Sequence, residues 1–199
     1  IIELGKTGIK TTLLGMGTGF NGFNRSSNIT RAGVAEKIIR EAYDRGIRFF
    51  DCADNYGTHP FAAAALKGIL RENYTISTKM WVHPGSLPEP ERPDADIVID
   101  RFRKELNTDY IDIVQLHVMS APDWAESQKR FMDGLENLKA KKIIRAHGVS
   151  VHSLEALEVA AVHPWVDVIH TRINPYGESM DKGDPSLIVP VIEKMHKNG

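Results

Sequence analysis

The sequence predicts a TIM-type (βα)8 barrel, with about six βα units and an N-terminal β-hairpin falling within its 199 residues. Two observations carry that expectation. Brief apolar runs alternate with longer amphipathic ones along the whole chain, which is the rhythm of βα units. Proposed strand ends fall near Gly17, Asp51, Lys79, His117, Ser150 and Ile173, at roughly the thirty-odd residues per unit that a barrel of about 250 residues implies. No low-complexity tract, Ser/Gly linker or short repeat interrupts the alternation, so residues 1–199 read as one partial barrel domain. A six-unit open sheet is the alternative; a doubly wound fold would need a crevice where the strand order reverses.

The hairpin is placed over Ile1 to Lys10, turning at Lys6-Thr7-Gly8, ahead of a first strand from Leu13 to Gly17. A helix from about Ile29 follows, with Val34, Ile38 and Ala42 on one face, Ala35, Ile39 and Tyr43 beside them, and Gly46 as its C′ residue. Strand two runs from Ile47 to Asp51, then a helix from His59 to Leu70, a strand from Thr75 to Lys79, a helix from Ala95 to Leu106 and a strand from Tyr110 to His117. Trp124, Phe131, Leu135 and Leu138 mark a fourth helix. Strands five and six, Ile143 to Ser150 and Val166 to Ile173, flank a helix capped by Ser153, and Asp184-Pro185 opens a last helix with favoured cap and N1 residues.

Lys and Arg total 25 against 26 Asp and Glu, a net charge of −1 that offers no field for nucleic acid or an acidic membrane surface. No apolar run reaches the roughly 18 to 20 residues needed to cross a bilayer. Cys52 is the only cysteine, so no intrachain disulfide forms, which agrees with a reducing compartment and makes the cytoplasm the expected location. The chain opens on Ile1 and stops at Gly199 just past a helical segment, so both ends read as cut and an upstream export signal stays open.

In a barrel, chemistry gathers where the C-terminal strand ends and the βα loops converge. Three of these ends are ionisable: Asp51, Lys79 and His117, with Tyr56 five residues past Asp51 on the loop leaving the same strand. Hydride arriving at a carbonyl carbon leaves negative charge on oxygen, so a proton donor must be held against that oxygen. A phenol of pKa about 10 serves if a neighbouring ammonium lowers it. Tyr56 is then the acid, Lys79 the ammonium, Asp51 its anchor, and His117 the group that orients the carbonyl or shares in proton delivery.

These residues lie in runs that resemble the aldo-keto reductase family. The run Gly46-Ile47-Arg48-Phe49-Phe50-Asp51-Cys52-Ala53-Asp54-Asn55-Tyr56-Gly57 is similar to the family signature that sets an aspartate and a tyrosine five apart. Ser77-Thr78-Lys79 and the run from Asp109 to His117 are similar to the segments that provide its lysine and histidine. Leu4-Gly5-Lys6-Thr7-Gly8 and Leu14-Gly15-Met16-Gly17-Thr18-Gly19 match its opening, in which a hairpin covers the barrel floor. The resemblance covers nearly all of the chain and implies NADPH, less often NADH, bound without a Rossmann domain, and reduction of a small-molecule aldehyde or ketone. It also implies a cofactor site in which Gly17, Thr18 and Asp51 approach the nicotinamide and ribose side and Ser150 bonds the carboxamide. His170 falls where a strand-six glutamine does the same. The usual Ser-Asn after strand five is Ser150-Val151 here, and the segments after strands seven and eight that hold the phosphates in the family do not occur in this sequence.

Other readings are available for several of these features. Asp51 and Lys79 alone would pass as a structural ion pair. Gly15-x-Gly17-x-Gly19 reads mainly as a tight strand exit, because about ten residues separate it from the next helix and a Rossmann turn enters its helix at once. His147, His152, His163 and His170 lack a compact ligand motif, so no metal is expected. Cys52 reads as an inert buried thiol, Phe20 and Trp81 as walls of an apolar pocket, Phe23 as a loop residue beside them, Trp124 as core, and Asp112 as a locally bonded residue on the helix-facing side. Two rival functions remain: a cofactor-binding or regulatory subunit with little turnover, and a lyase or isomerase using Lys79 as a Schiff base. Substrate identity and oligomeric state are not legible at this level.

Overall fold

The computed structural model describes residues 1–87, 92–177 and 184–198. A two-stranded antiparallel hairpin, β1 (Ile2–Glu3) and β2 (Lys10–Thr11), precedes a six-stranded parallel sheet. The sheet strands are β3 (Gly15–Gly17), β4 (Phe49–Asp51), β5 (Thr75–Met80), β6 (Ile111–Met119), β7 (Ile144–Val151) and β8 (Val168–His170), hydrogen-bonded in sequential order. Among the described residues the strand order does not reverse, so the doubly wound alternative falls away; this is the sequential winding of a barrel wall, with β3 and β8 at the ends of the described sheet.

Helices α1 (Asn28–Arg31), α2 (Ala35–Asp44), α3 (His59–Ala65), α4 (Ala95–Leu106), α5 (Trp124–Ser127), α6 (Lys129–Ala140), α7 (Leu154–Ala160) and α8 (Pro185–Asn198) follow the strands. Strand alternation separates two cores. Ile76, Val114, Leu116 and Val149 face Ile99, Phe102, Leu135 and Leu157 of the helices, whereas Ile113, Ala146 and Val168 point inward. The inner core is closed from below by the hairpin, which drives the fully buried Ile9 and the partly buried Leu4 into it. The hairpin turn is held by Thr7, whose hydroxyl donates to the Leu4 carbonyl (2.6 Å) and accepts from the Ile9 amide (3.1 Å).

Several predicted elements are shorter or divided. The helix expected from Ile29 breaks into α1 and α2 at Gly33, whose φ of +67° ends the first turn. The fourth helix divides at Gln128 into α5 and α6. The helix from His59 stops at Ala65, just before Gly68 at φ +81°. Strand one begins only at Gly15, because Leu13 and Leu14 are 80% and 71% exposed and lie outside the sheet. Strand six shrinks to Val168–His170, pairing on one side alone. Ser153 caps α7 as expected, its hydroxyl accepting from the Ala156 amide (3.0 Å).

Asp112 shows how the wall is tied near its floor. Its buried carboxylate accepts from the Ile76 amide (2.9 Å), Arg71 Nη2 (2.6 Å) and Arg145 Nη1 (2.8 Å), linking β5, β6 and β7. A buried carboxylate persists only when so surrounded by donors.

Gly148 of β7 pairs with Val168 of β8, and a Cβ there would stand 1.8 Å from the Val168 carbonyl oxygen. That contact is with backbone and has no flexible neighbour to yield. Gly148→Ala is therefore expected to cost about 1–3 kcal/mol or more, read as a lower urea midpoint; unchanged stability would contradict the close approach.

Candidate active site

The site forms at the C-terminal ends of β4, β5 and β6. Asp51 ends β4, and the parallel register sets it beside Gly17 on one side and Ser77 on the other. Lys79, two residues past Ser77, extends its ammonium to Asp51 Oδ1 and donates a second bond to the Cys52 carbonyl (3.1 Å). The lysine is buried and the aspartate about one-fifth exposed. Burial alone would lower the lysine's pKa, but the Asp51 carboxylate and the Tyr56 phenol outweigh it and the net shift is upward. Lys79 is therefore held as an ammonium.

Tyr56 closes a 3-10 turn, Asp54–Tyr56, whose shape comes from the residues around it. The buried Asp54 carboxylate accepts from the Asn55 amide (2.8 Å) and the Trp81 amide (3.0 Å), fastening the turn to the exit of β5. Gly57 follows at φ +63°, and a Cβ there would lie 1.8 Å from the Arg25 carbonyl oxygen. On the other side the chain after β3 runs flush against the phenol ring: a Cβ on Gly19 or Gly22 would come within 2.2 and 2.3 Å of Tyr56 ring carbons. The glycines of this loop thus make room for an aromatic ring.

The Tyr56 hydroxyl lies 3.5 Å from His117 Nε2, the outer reach of a hydrogen bond, and the two rings meet edge to face at 5.6 Å. Lys79 Nζ is 5.1 Å from the centroid of the Tyr56 ring, and Trp81 packs edge-on against His117 at 5.5 Å. Desolvation is the largest influence on the phenol and raises its pKa above 10, against the downward pull of Lys79. The expected lowering by Lys79 is present as an interaction, but burial exceeds it and the net direction is corrected to upward. His117 is driven well below 6.5, first by desolvation and then by the positive charge of Lys79 and the histidines around it, so the imidazole is neutral. Asp51, Lys79, Tyr56 and His117 come together at one mouth of the wall.

The residues expected around a cofactor are arranged less uniformly. Gly17 has open space where a Cβ would project. Thr18 is buried, its amide and hydroxyl both donating to the Asp51 carbonyl (3.0 and 2.8 Å) and its hydroxyl also meeting that of Thr58 (2.8 Å), so it joins β3 to β4. Ser150 and His170 are register partners at the ends of β7 and β8. Ser150 Oγ accepts the Val118 amide (2.9 Å), and His170 Nδ1 lies 3.5 Å from Asp51 Oδ1. Desolvation pushes His170 down to about 4, despite the opposing pull of Asp51. A cleft of about 320 Å³ runs from the hairpin, at Leu4 and Thr11, along β3 to Gly17, Asp51 and His170. The Ser150 hydroxyl, with its lone pair occupied by Val118, has its proton left to donate, and Val151 is buried in the helix-facing core with no amide to add.

Trp81 packs against His117, whereas Phe20 and Phe23 are exposed on the β3 loop. Trp124 is core, packed near His163 and Trp165. Cys52 is wholly buried and its thiol is pushed up to about 11, chiefly by desolvation, which suits an inert group. Sequence reasoning missed Asp54, Thr58, His59 and His83. His59 joins Glu105 of α4 (2.7 Å) to Thr78 of β5 (2.7 Å), tying the helix that follows Tyr56 to the strand that carries Lys79. The usable signal was an acid and a histidine within a few residues of Tyr56, each of which must find partners if buried.

Among the described residues no group of three or more His, Cys, Asp or Glu is placed to hold a metal ion, and no helix is long and apolar enough to cross a membrane.

Comparisons with known proteins bear on the family and the fold. The sequence model of the aldo/keto reductase family matches residues 14–195. An L-glyceraldehyde 3-phosphate reductase of Escherichia coli O157:H7 is 30% identical over 177 residues, covering 81% of this chain and 48% of that protein. An NADH-specific methylglyoxal reductase of Escherichia coli K12 is 26% identical over 200 residues, covering 90% and 58%. In fold, the chain is similar to an aldo-keto reductase of Bacillus halodurans in its holo form, with a TM-score of 0.73 at 23% identity over 98% of this chain and 63% of that one. It is also similar to an aldo-keto reductase of Klebsiella pneumoniae solved with NADPH, with a TM-score of 0.63 at 20% identity over 91% and 60%. The chain spans about half the length of the curated relatives it matches. With the family match running through nearly all of its length and the barrel wall shared, the chain belongs to the aldo/keto reductase family.

Proposed function

We propose that this chain is the catalytic part of a nicotinamide-dependent carbonyl reductase, a single partial barrel domain over residues 1–199 in which Tyr56 is the general acid. The observation that carries the reading is the Tyr56 hydroxyl at 3.5 Å from His117 Nε2, beside an ammonium secured by Asp51. Bound NADPH, or NADH, would supply the hydride that reduces the carbonyl carbon of an aldehyde or ketone. Tyr56 gives its proton to the carbonyl oxygen as negative charge develops there, yielding the alcohol. Lys79 stabilises the phenolate so formed, and Asp51 holds Lys79 charged and in place. Neutral His117 orients the carbonyl by donating from Nε2. Gly17, Thr18, Asp51, Ser150 and His170 face or frame the nicotinamide end, with Thr18 acting through the backbone it fixes.

A phenol raised above 10 is fully protonated at neutral pH, as a waiting acid must be. Lys79, being held as an ammonium, is a poor Schiff-base nucleophile, which argues against the lyase or isomerase alternative. One relative is named for NADH and one neighbour was solved with NADPH, so both cofactors stay within the proposal. Relatives named for methylglyoxal and L-glyceraldehyde 3-phosphate support a small carbonyl compound as partner, the near-neutral net charge offers no field for nucleic acid or a membrane surface, and the buried free thiol suits the cytoplasm. A second reading, a cofactor-binding or regulatory subunit with little turnover, is favoured by Val151 in place of the usual asparagine. Robust oxidation of NADPH in the presence of methylglyoxal would exclude it.

Tyr56→Phe is expected to keep the fold by circular dichroism and to lower turnover of an aldehyde by about 10²–10⁴-fold; wild-type turnover in that variant would remove Tyr56 from the reaction. The protonation pattern gives a second test. Desolvation depresses the folded-state pKa of His117, His152 and His170, the last two to about 4. Below the unfolded value of about 6.5 the unfolded chain takes up protons that the folded site refuses, so their contribution to stability is lost as pH falls from about 6.5 towards 4. His170→Gln should therefore lose less stability than wild type between pH 7 and 4.5 in urea titrations. Parallel losses would contradict a neutral, desolvated His170.

A further inference from the structure

Immediately after His117 the backbone enters a conformation that its sequence disfavours. Val118 has φ of +65°, a left-handed value that a β-branched residue adopts only under constraint. The register between β6 and β7 slips at the same place: Leu116 pairs with Val149 but Met119 pairs with Val151, so β6 carries one extra residue. This bulge changes what faces the mouth. Gln115 and His117 share the inward parity, and without the extra residue Met119 would share it too; instead Met119 is buried in the helix-facing core.

Two side chains from neighbouring segments hold the bulge. Ser150 of β7 takes the Val118 amide on its hydroxyl oxygen at 2.9 Å. His83, beyond the end of β5, places Nε2 at 3.0 Å from both the His117 and the Val118 carbonyl oxygens. Both atoms are acceptors, so the proton resides on Nε2 and the imidazole donates to them. Trp81 fills the space between, packing edge-on against His83 at 5.1 Å and His117 at 5.5 Å.

Hydrogen bonding does little to aim the His117 ring, which otherwise packs against Trp81 and Tyr56. Its Nε2 faces Tyr56, and its Nδ1 is buried without a hydrogen-bond partner. In many sites a second group bonds the far nitrogen of a functional histidine and fixes the ring; here that bond is missing. We infer that His83 and Ser150 are positioning residues that lock the strained bulge at Val118, and that this bulge sets the direction of the His117 imidazole. The inference rests on the reading of His117 as the group that orients the carbonyl. The roles of Ser150 are compatible, since it accepts from Val118 through a lone pair and keeps its proton to donate.

The test follows the His117 ring by nitrogen-15 NMR titration alongside steady-state kinetics, comparing His83→Ala, His83→Gln and Ser150→Ala with wild type. With the bulge released, the ring moves towards solvent, so His83→Ala should raise its titration midpoint towards 6.5 and lower kcat by about ten- to a hundredfold. His83→Gln also removes the imidazole ring but restores an Nε2 donor, and it should return both readouts close to wild type. Ser150→Ala should move the midpoint the same way. Val118→Gly, which relieves the steric penalty at positive φ, should raise the melting temperature. The inference is overturned if His83→Gln behaves as His83→Ala does, since loss of the ring alone would then explain the shift, or if none of these variants moves the ring. His117→Ala separates the two layers: wild-type turnover there would sink the reading of His117 itself, whereas its loss beside an unmoved ring in His83→Ala would sink only the positioning role.

Discussion

A buried ammonium needs a carboxylate, and the meeting of Lys79 with Asp51 is the constraint on which the rest of this site depends. The pair spans the ends of β4 and β5, and its second bond, to the Cys52 carbonyl, fixes the peptide that leads directly into the turn bearing Tyr56. Removing water from this region raises the cost of every unpaired charge, and the protonation states follow from it. The ammonium is retained because the carboxylate and the neighbouring groups together outweigh burial, the phenol keeps its proton, and the imidazole beside them stays neutral.

The same mouth is shaped by backbone in places that polar chemistry does not reach. Gly19 and Gly22 let one loop lie flat on the phenol, Gly57 lets another pass the Arg25 carbonyl, and Val118 carries strain next to His117. Asp54 and His59 spread these local demands into the wall, the first through the Trp81 amide and the second through Thr78 and Glu105. Local conformations that cost free energy are sustained here by networks that over-determine them.

Much of this was legible beforehand. Runs such as Ile111 to His117 announce a strand buried on both faces and ending on an ionisable residue, and three such runs in order, with Tyr56 on the loop after the first, are enough to read the wall and the groups at its mouth. Helix interruptions were not legible, because Gly33 in an otherwise amphipathic stretch is as compatible with a continuous helix as with two. Nor was the function of the loop glycines, since their reason is a ring distant in sequence. His83 and Val118 leave no local trace: a valine in left-handed backbone contradicts its own propensity, and only the slipped register between two strands reveals it. The net direction of the Tyr56 shift was likewise out of reach, because it depends on how much solvent the finished fold removes.

The account stands on the mutual dependence of Lys79 and Asp51, and a double-mutant cycle measures it. With Asp51→Asn, Lys79→Met and the double variant unfolded in urea, Asp51→Asn should destabilise by about 3–5 kcal/mol by stranding a buried ammonium, and the double variant should lose clearly less than the sum of the two single losses. Losses that simply add would mean that the two groups do not sustain each other, and the arrangement of the site would need a different origin.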